Sequence, residues 1–312
     1  MNMNSALNEL FERRIDFPDP DAQVRLARLV GLDEQKLRLN KLLSLLIHPA
    51  ALEAWAKRYH PDARHMFDIV LRRPPLVVLA GDVGSGKSEL AETIGDALAR
   101  QEKIDIALLP LSLSTRGQGH VGEMTRLLSA AFDHTIDEGR KLKSGTGGAR
   151  GAIILLVDEA DALAQSREAA QMHHEDRAGV NAFIRGVDRI ANARVPAAVI
   201  LCTNRPGALD PAVRRRAADV LTFSRPDHVQ RHEIVHRALK PLGFSGSQIE
   251  AIVNATGAYR DREYGFTFSD LTQRLLPSIV LDAYPDEAIQ PARAVEIAQT
   301  MAPTPPFREN AS

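Results

Sequence analysis

Short apolar runs alternate with longer amphipathic segments between residues 75 and 223. Four runs are rich in valine, leucine and isoleucine and a fifth is shorter: PLVVLA (75–80), IDIALLPL (104–111), AIILLV (152–157), AAVILC (197–202) and VLTF (220–223). Strands that are buried on both faces have this continuous apolar pattern, and the segments between them are long enough for helices. The pattern predicts an α/β fold with a parallel sheet covered by helices on both faces.

The segments on either side of this region have apolar residues at helical spacing. DEQKLRLNKLLSLLIH from Asp33 and AALEAWAKRY after Pro49 predict two helices before the first strand. After SRPD (224–227), four helical segments follow with no strand-like run between them, beginning at His228, Ser247, Phe268 and Pro291. We predict an αβα domain over residues 25–227 and a smaller all-helical lid over residues 228–302.

The two ends of the chain lack regular patterns. Residues 1–24 are polar and end in FPDPDAQ, whose prolines and aspartates oppose regular structure. Residues 303–312, PTPPFRENAS, are rich in proline. We predict a flexible N-terminal arm and a disordered C-terminal tail.

Composition narrows the class of protein. The chain of 312 residues is 44% hydrophobic and 25% charged, and no apolar run approaches the roughly 18 residues that a membrane span needs. Lysine and arginine total 39 against 40 acidic residues, so the basic excess typical of nucleic-acid binding is missing. The single cysteine, Cys202, excludes an internal disulfide. The N-terminus has no signal-peptide pattern, so we expect a cytoplasmic protein.

Residues 81–88, GDVGSGKS, match G-x-x-x-x-G-K-[ST] and stand between a predicted strand and a predicted helix. Glycines allow consecutive amide groups to turn inward around phosphate oxygens, and the helix dipole adds positive charge at the same place. Lys87 would neutralise the outer phosphates, and the Ser88 hydroxyl would bind Mg²⁺. The residues expected to contact ATP are Asp82, Val83, Gly84, Ser85, Gly86, Lys87, Ser88 and Glu89.

Two acids follow the third apolar run in AIILLVDEADAL (152–163). Ligands of parallel sheets bind at the carboxyl ends of the strands, where these acids lie. Since adjacent side chains of a strand point to opposite faces, we assign Asp158 to Mg²⁺ and Glu159 to the attacking water. The alternative is that both acids only cap a helix.

The fourth run ends in VILCTNRP (199–206), where Asn204 could hydrogen-bond the water or the γ-phosphate. An asparagine in a turn before proline also occurs for purely structural reasons. LDPAVRRR (209–216) has three consecutive arginines, which alone could form a solvated helix face. Phosphoryl transfer often uses an arginine supplied by another subunit, so this segment also suggests a second subunit.

Taken together, these motifs resemble those of the protein-remodelling AAA+ ATPases. GDVGSGKS looks like their Walker A motif, ILLVDEAD like Walker B, CTNRP like the first sensor and LDPAVRRR like the arginine-finger segment. RLVGLDEQK (28–36) resembles the family's opening segment, which implies that Val30 and Gly31 lie near the adenine. The resemblance covers about residues 25–300 and implies a homo-oligomeric ring, expected to be hexameric, with ATP between subunits.

Within that superfamily, the segment from Ala193 to Pro226 resembles most the pachytene-checkpoint remodellers, which unfold part of HORMA-domain proteins. The resemblance implies a HORMA-domain protein as the substrate. It also implies a bacterial anti-phage system in which the HORMA protein activates a nucleotidyltransferase. By the same resemblance, Arg216 is the expected finger and Arg215 the next candidate.

Three features depart from that family pattern. The predicted arm is shorter than the roughly 50 residues that a separate substrate-binding domain requires. Ser269, followed by Asp270, stands where the relatives have a second-sensor arginine. His120 replaces the usual aromatic residue of the pore loop, before Val121 and Gly122. A histidine ring can stack on a peptide and hydrogen-bond it, but His120 could equally be an ordinary solvated residue.

Two other classes of function stay open. A nucleic-acid loader or initiator of the same superfamily could use the basic segment GRKLKSGTGGARG (139–151) to contact DNA, although the net charge of -1 opposes this. A non-hydrolysing ATP switch could also scaffold partners. The presence of Glu159 argues against the switch, because an acid at this position can activate the attacking water for hydrolysis.

Overall fold

The computed structural model describes residues 10–111, 123–143, 149–161, 174–258 and 262–307. The chain forms two compact units. The sheet unit comprises Met1–Ala27, Glu34–Ala80 and Ser88–Thr222, and the helical unit comprises Arg28–Asp33, Gly81–Lys87 and Phe223–Ser312. The predicted pore-loop residues His120, Val121 and Gly122 lie outside the described residues.

Strands and helices alternate along the sheet unit. Its elements are β1 (Ile15–Phe17), α1 (Pro20–Arg28), α2 (Asp33–Ile47), α3 (Pro49–Tyr59), α4 (Arg64–Leu71), β2 (Leu76–Gly81), α5 (Lys87–Glu102), β3 (Asp105–Leu111), α6 (Glu123–Lys141), β4 (Gly151–Val157), α7 (His174–Ala193), β5 (Ala197–Thr203), α8 (Pro211–Arg216) and β6 (Asp219–Phe223). The six strands form one sheet in the order β1-β3-β4-β5-β2-β6. β3 pairs in parallel with β4, β4 with β5 and β5 with β2. The predicted α/β fold is confirmed.

The core of the sheet unit lies on both faces of the sheet. Every residue of β2, β4 and β5 is buried. Leu76, Val78, Leu155 and Val199 belong to one hydrophobic cluster with side chains of α6 and α7. Since successive side chains of a strand point to opposite faces, the buried residues between these four must be covered from the other side. Valine and isoleucine suit such doubly covered strands because their branched side chains pack well on a pleated surface.

The predicted flexible arm is wrong for the described residues 10–24. β1 pairs antiparallel with β3, with Phe17 opposite Ile106. The Phe17 ring is buried against α5, where a Cβ on Gly95 would lie 2.3 Å from its Cε2 atom. The backbone N–H of Asp19 donates to the Asp96 carboxylate over 2.8 Å. Apolar burial and these hydrogen bonds outweigh the poor local propensity of the segment.

The described part of the helical unit contains four α- or π-helical segments and a short 3-10 helix (Lys240–Leu242). The four segments are α9 (His228–Leu239), α10 (Gly246–Ala255), a π-helical stretch (Asp270–Leu275) that continues into α11 (Leu276–Ala283), and α12 (Pro291–Thr300). Capping boxes start α9 at Asp227 and α10 at Ser245, where each side chain accepts a hydrogen bond from a backbone N–H of the first turn. None of the helices in the described ranges is long and apolar enough to cross a bilayer.

The C-terminal segment is folded further than the predicted disordered tail allows. Both the backbone N–H and the hydroxyl of Thr304 donate to the buried carboxylate of Asp270, over 3.0 and 2.7 Å. The helical unit also includes residues 28–33 and 81–87, which the sequence pattern placed with the sheet. Its last segment begins at Phe223, five residues before the predicted start of the lid at residue 228.

Candidate functional site

The segment from Gly81 to Ser88, called here the glycine loop, leaves the carboxyl end of β2 and enters α5. Gly81 runs so close to β6 that an added Cβ would lie 1.9 Å from the backbone oxygen of Phe223. Gly84 and Gly86 have φ angles of 68° and 92°, in the left-handed region that L side chains disfavour. The spacing of the glycines therefore matches a conformation that other residues could not adopt without strain.

Lys87 folds back over the glycine loop. Its ammonium donates to the carbonyl oxygens of Gly81 and Asp82, over 3.1 and 2.7 Å, and to the Ser85 hydroxyl over 3.3 Å. Both Lys87 and Ser85 are buried. The first N–H groups of α5 have no acceptor within the helix and carry the positive end of its dipole. This cationic, donor-rich loop fits the phosphate groups of a nucleotide.

The other predicted nucleotide contacts differ in their surroundings. Ser88 and Val83 are exposed. The carboxylate of Glu89 is held by Arg25 through two hydrogen bonds of 2.8 Å, so it already has a cationic partner within the chain. Those hydrogen bonds raise the pKa of Arg25. Thus the structure gives Ser88 an open hydroxyl and ties Glu89 to a neighbouring helix.

The segment predicted to lie near the adenine belongs to the helical unit, as does most of the glycine loop. The carbonyl of Gly31 accepts a 2.6 Å hydrogen bond from Gln230 of α9, and Val30 is partly buried. Leu32 contacts the loop more closely, since its Cδ1 atom lies 2.8 Å from the place of a Cβ on Gly86. The opening segment therefore packs on the glycine loop, and Leu32 is a contact that the sequence analysis did not name.

Ser269, which stands where the resembling family has a second-sensor arginine, also contacts the glycine loop. The backbone N–H of Ser269 donates to the carbonyl of Gly84 over 3.1 Å. Asp270 points into the helical unit and is completely buried. Burial raises the pKa of Asp270, but hydrogen bonds from Thr267, Thr304 and Arg274 outweigh this and lower it overall. Here the lid contacts the loop through its backbone, without an arginine side chain.

Asp158 and Glu159 follow β4 directly, in a turn. Because β4 ends at Val157, the argument from opposite strand faces does not apply to these acids. The Glu159 backbone has φ 49°, a left-handed conformation that is rare and strained for this residue type. Its N–H donates to the Asp158 carboxylate over 2.8 Å. Both acids line a cavity of about 230 Å³ together with Glu92.

Asn204 follows β5 and is anchored by an acid that the sequence analysis missed. One carboxylate oxygen of Asp161 accepts hydrogen bonds from the Thr203 hydroxyl and the Asn204 backbone N–H, over 2.8 and 2.7 Å. The other oxygen lies 3.4 Å from the side-chain nitrogen of Asn204. Asp161 thus links the acidic turn after β4 to the turn after β5. The only sequence signal for it was its place as the last acid of VDEAD.

The three arginines of α8 are not equivalent. Arg216 forms a bidentate ion pair with Asp188 of α7, with N···O distances of 2.7 and 2.9 Å. The hydrogen bond to Asp188 raises the pKa of Arg216, against a smaller opposing effect of burial. Arg214 and Arg215 are exposed. Arg215 has no polar partner among the described residues.

The sheet brings the acidic turn after β4 and Asn204 to one edge. β2, β5 and β4 are neighbouring parallel strands, so their carboxyl ends lie on the same side. The glycine loop follows β2, Asp158 follows β4 and Asn204 follows β5. Ligands of open α/β sheets bind at this edge. A loop suited to phosphate, an acid turn and an amide are the groups that phosphoryl transfer requires.

Comparison with known proteins agrees with this chemistry. The sequence profile of the ATPase family associated with various cellular activities (AAA) matches residues 77–225. A relative from Escherichia coli strain MS 115-1, CD-NTase-associated protein 6, is 66% identical over 307 residues, which cover 98% of this chain and 99% of the relative.

Two solved structures are similar over nearly the whole chain. One is a chain in the structure of the E. coli MS115-1 HORMA:CdnC:Trip13 complex, with a TM-score of 0.89, 64% identity and coverage of 97% of this chain and 99% of that chain. The other is Rhizobiales Trip13, with a TM-score of 0.75, 57% identity and coverage of 95% and 100%. The likeness therefore includes both compact units.

Proposed function

Because this chain belongs to the AAA family of nucleotide-binding ATPases, we propose that it uses Mg²⁺-dependent ATP hydrolysis to remodel a HORMA-domain protein. The observation that carries the proposal is the full-length similarity to a chain of the HORMA:CdnC:Trip13 complex, at 64% identity and a TM-score of 0.89. The partner would be a HORMA-domain protein of a bacterial anti-phage system that regulates a nucleotidyltransferase. We place this activity in the cytoplasm.

The residues at the carboxyl edge of the sheet have separate roles in this proposal. Lys87 would bind the outer phosphates, and the Ser88 hydroxyl and the Asp158 carboxylate would hold Mg²⁺, which would supply positive charge to the phosphate oxygens. Glu159 accepts a proton from the attacking water. Asn204, fixed by its backbone bond to Asp161, orients that water. The strained backbone of Glu159 supports its assignment, since such strain clusters at active sites.

An arginine from a neighbouring copy completes the site in this proposal. Positive charge near the leaving phosphate is needed, and an arginine supplied in trans contributes a factor of about 10³ or more to turnover. Arg216 is already paired with Asp188 within its own chain, whereas Arg215 is exposed and has a free fork of donors. We therefore rank Arg215 first, ahead of Arg216, and give Arg216 the role of holding α8 in place.

Such a trans arrangement requires a homo-oligomer, and a closed ring of six copies is the expected form. His120, Val121 and Gly122 would line its pore and grip the protein substrate, as the resemblance to the remodellers implies. A histidine ring offers less apolar contact area than tryptophan or tyrosine. A grip based on His120 should therefore suit limited unfolding of one segment better than complete threading.

The test uses the Glu159→Gln variant, which should bind ATP and stall before hydrolysis. The variant is mixed with ATP and the purified HORMA-domain protein from the same genome, and the molar mass of the complex is measured by light scattering after gel filtration. We expect a ring of six copies that carries the HORMA protein, and less HORMA protein bound when His120 is also changed to alanine. A ring that excludes the HORMA protein would contradict the proposal, and binding of a DNA fragment by that ring in a second run would favour the loader or initiator class.

A further inference from the structure

Arg225 joins three separate segments of the helical unit. It lies between β6 and α9, and only 14% of its side chain is exposed. Its Nε donates to the Asp82 carboxylate over 2.6 Å, Nη1 to the carbonyl of Gly265 over 2.7 Å and Nη2 to the carbonyl of Thr304 over 2.8 Å. The guanidinium also stacks over the Tyr264 ring, 4.7 Å from its centroid. All three guanidinium nitrogens are therefore engaged.

The negative charge of the Asp82 carboxylate would disfavour phosphate binding if no cation neutralised it. Asp82 is the second residue of the glycine loop, and its side chain is only 18% exposed. One of its oxygens accepts the N–H of Val83 over 2.8 Å, and the other faces Arg225. An unpaired carboxylate beside a phosphate-binding loop would repel the phosphates, and low exposure to solvent would weaken the screening. Arg225 removes that repulsion.

The other two acceptors of Arg225 connect the loop to the lid and to the C-terminal segment. The carbonyl of Thr304 binds Arg225, while the N–H and hydroxyl of the same residue bind Asp270. Ser269, next to Asp270, donates its backbone N–H to Gly84 of the glycine loop. Hydrogen bonds thus run from the loop through Arg225 and Thr304 to the lid and back to the loop.

We propose that Arg225 is a positioning residue for nucleotide binding, which neutralises Asp82 and holds the glycine loop against Gly265 of the lid and Thr304 of the C-terminal segment. This role rests on the proposed function of the loop as the phosphate site. It adds a side-chain link between the lid and the glycine loop to the backbone contact of Ser269 with Gly84. Arg225 acts through the loop and does not itself contact the nucleotide.

The test measures ADP affinity by titrating fluorescent N-methylanthraniloyl-ADP into the full chain at low temperature. Arg225→Gln should weaken binding at least about tenfold, because a carboxylate with little exposure to solvent is left unpaired beside the phosphates. Adding Asp82→Asn to Arg225→Gln should recover most of the lost affinity, because the substitution removes the carboxylate charge that Arg225 no longer neutralises. Arg225→Lys keeps the charge but has no fork, so it should be about threefold to tenfold weaker.

A matched control is Arg293→Gln, which breaks an arginine–aspartate pair of the same unit with N···O distances of 2.7 and 3.2 Å, away from the loop. It should leave affinity unchanged. The inference is overturned if Arg225→Gln lowers the melting temperature but binds ADP as tightly as wild type does. It is also overturned if the double variant Asp82→Asn, Arg225→Gln binds ADP no better than Arg225→Gln alone. Should Arg225→Gln not fold, wild-type affinity in Arg225→Lys would overturn it too. If wild type itself does not bind the probe, the proposed function fails as well.

Discussion

Replacing Asp161 tests how the turns after β4 and β5 are held together. The Asp161→Ala change removes a carboxylate that accepts hydrogen bonds of 2.8 Å from the Thr203 hydroxyl and 2.7 Å from the Asn204 N–H. Thr203 is only 1% exposed, so its hydroxyl cannot turn to bulk water instead. The change therefore breaks two charge-assisted bonds and leaves donors without an acceptor.

The expected loss of stability follows from those two bonds. Hydrogen bonds to a charged group contribute about 1.5 kcal/mol or more each, so Asp161→Ala should lower the free energy of unfolding by about 3 kcal/mol. For a domain of this size, that loss corresponds to a fall of about 6 to 12 °C in Tm. Asp161→Asn keeps one carbonyl oxygen as an acceptor and should lose about half as much.

Turnover gives the second readout. Since Asn204 loses the bond that fixes its backbone, kcat should fall about tenfold to a hundredfold in Asp161→Ala, with ADP affinity almost unchanged. Thermal unfolding followed by circular dichroism and a steady-state ATPase assay at low temperature measure both effects. A variant with wild-type Tm and wild-type kcat would refute the linking role of Asp161. A lower Tm with a wild-type kcat would refute only the claim that Asp161 fixes Asn204 for catalysis.

Other changes test the loop, the finger and the lid. Gly81→Ala should lower Tm by several degrees and weaken ADP binding, because its Cβ would lie 1.9 Å from a backbone oxygen, while Gly246→Ala has nothing within 4 Å and should change stability by less than about 1 kcal/mol. Arg215→Ala should reduce ATPase activity about a thousandfold with an unchanged Tm, whereas Arg216→Ala should lower both the activity and the Tm. Equal Tm losses in the two variants would contradict this ranking. Because the pKa of Asp270 is lower in the folded chain, its carboxylate stabilises the fold above the ordinary pKa of about 3.9, and this contribution is lost as pH falls through the folded value. Thermal scans between pH 4 and 2 should therefore show a smaller fall in Tm for Asp270→Asn than for wild type.

The central strands of the sheet could be predicted because each one is a continuous apolar run in the sequence. Every residue of β4 and β5 is buried, nearly all of them are apolar, and each apolar run is bounded by polar segments. β1 spans only Ile15–Phe17, too few residues for a periodic signal. Its docking depends on partners such as Asp96, 77 positions away from Asp19. The arm therefore looked irregular in the sequence.

The same contrast separates the parts of the site. The glycine loop is one continuous segment whose glycines, lysine and serine define its chemistry by themselves. Asp161 and Arg225 gain their roles from residues 43 and 143 positions away, and neither contact leaves a local pattern. The orientation of Glu159 could not be predicted from the sequence either, because the end of β4 at Val157 and the left-handed backbone at Glu159 depend on tertiary packing.

The most direct test of the central claim compares ATP turnover and ATP affinity in wild type and Glu159→Gln. If Glu159 accepts the proton of the attacking water, the variant should bind ATP within about threefold of wild type and hydrolyse it about 10² to 10⁴ times more slowly. Turnover in Glu159→Gln at the wild-type rate, with ATP bound equally well, would contradict the assignment of the catalytic centre to the turn after β4.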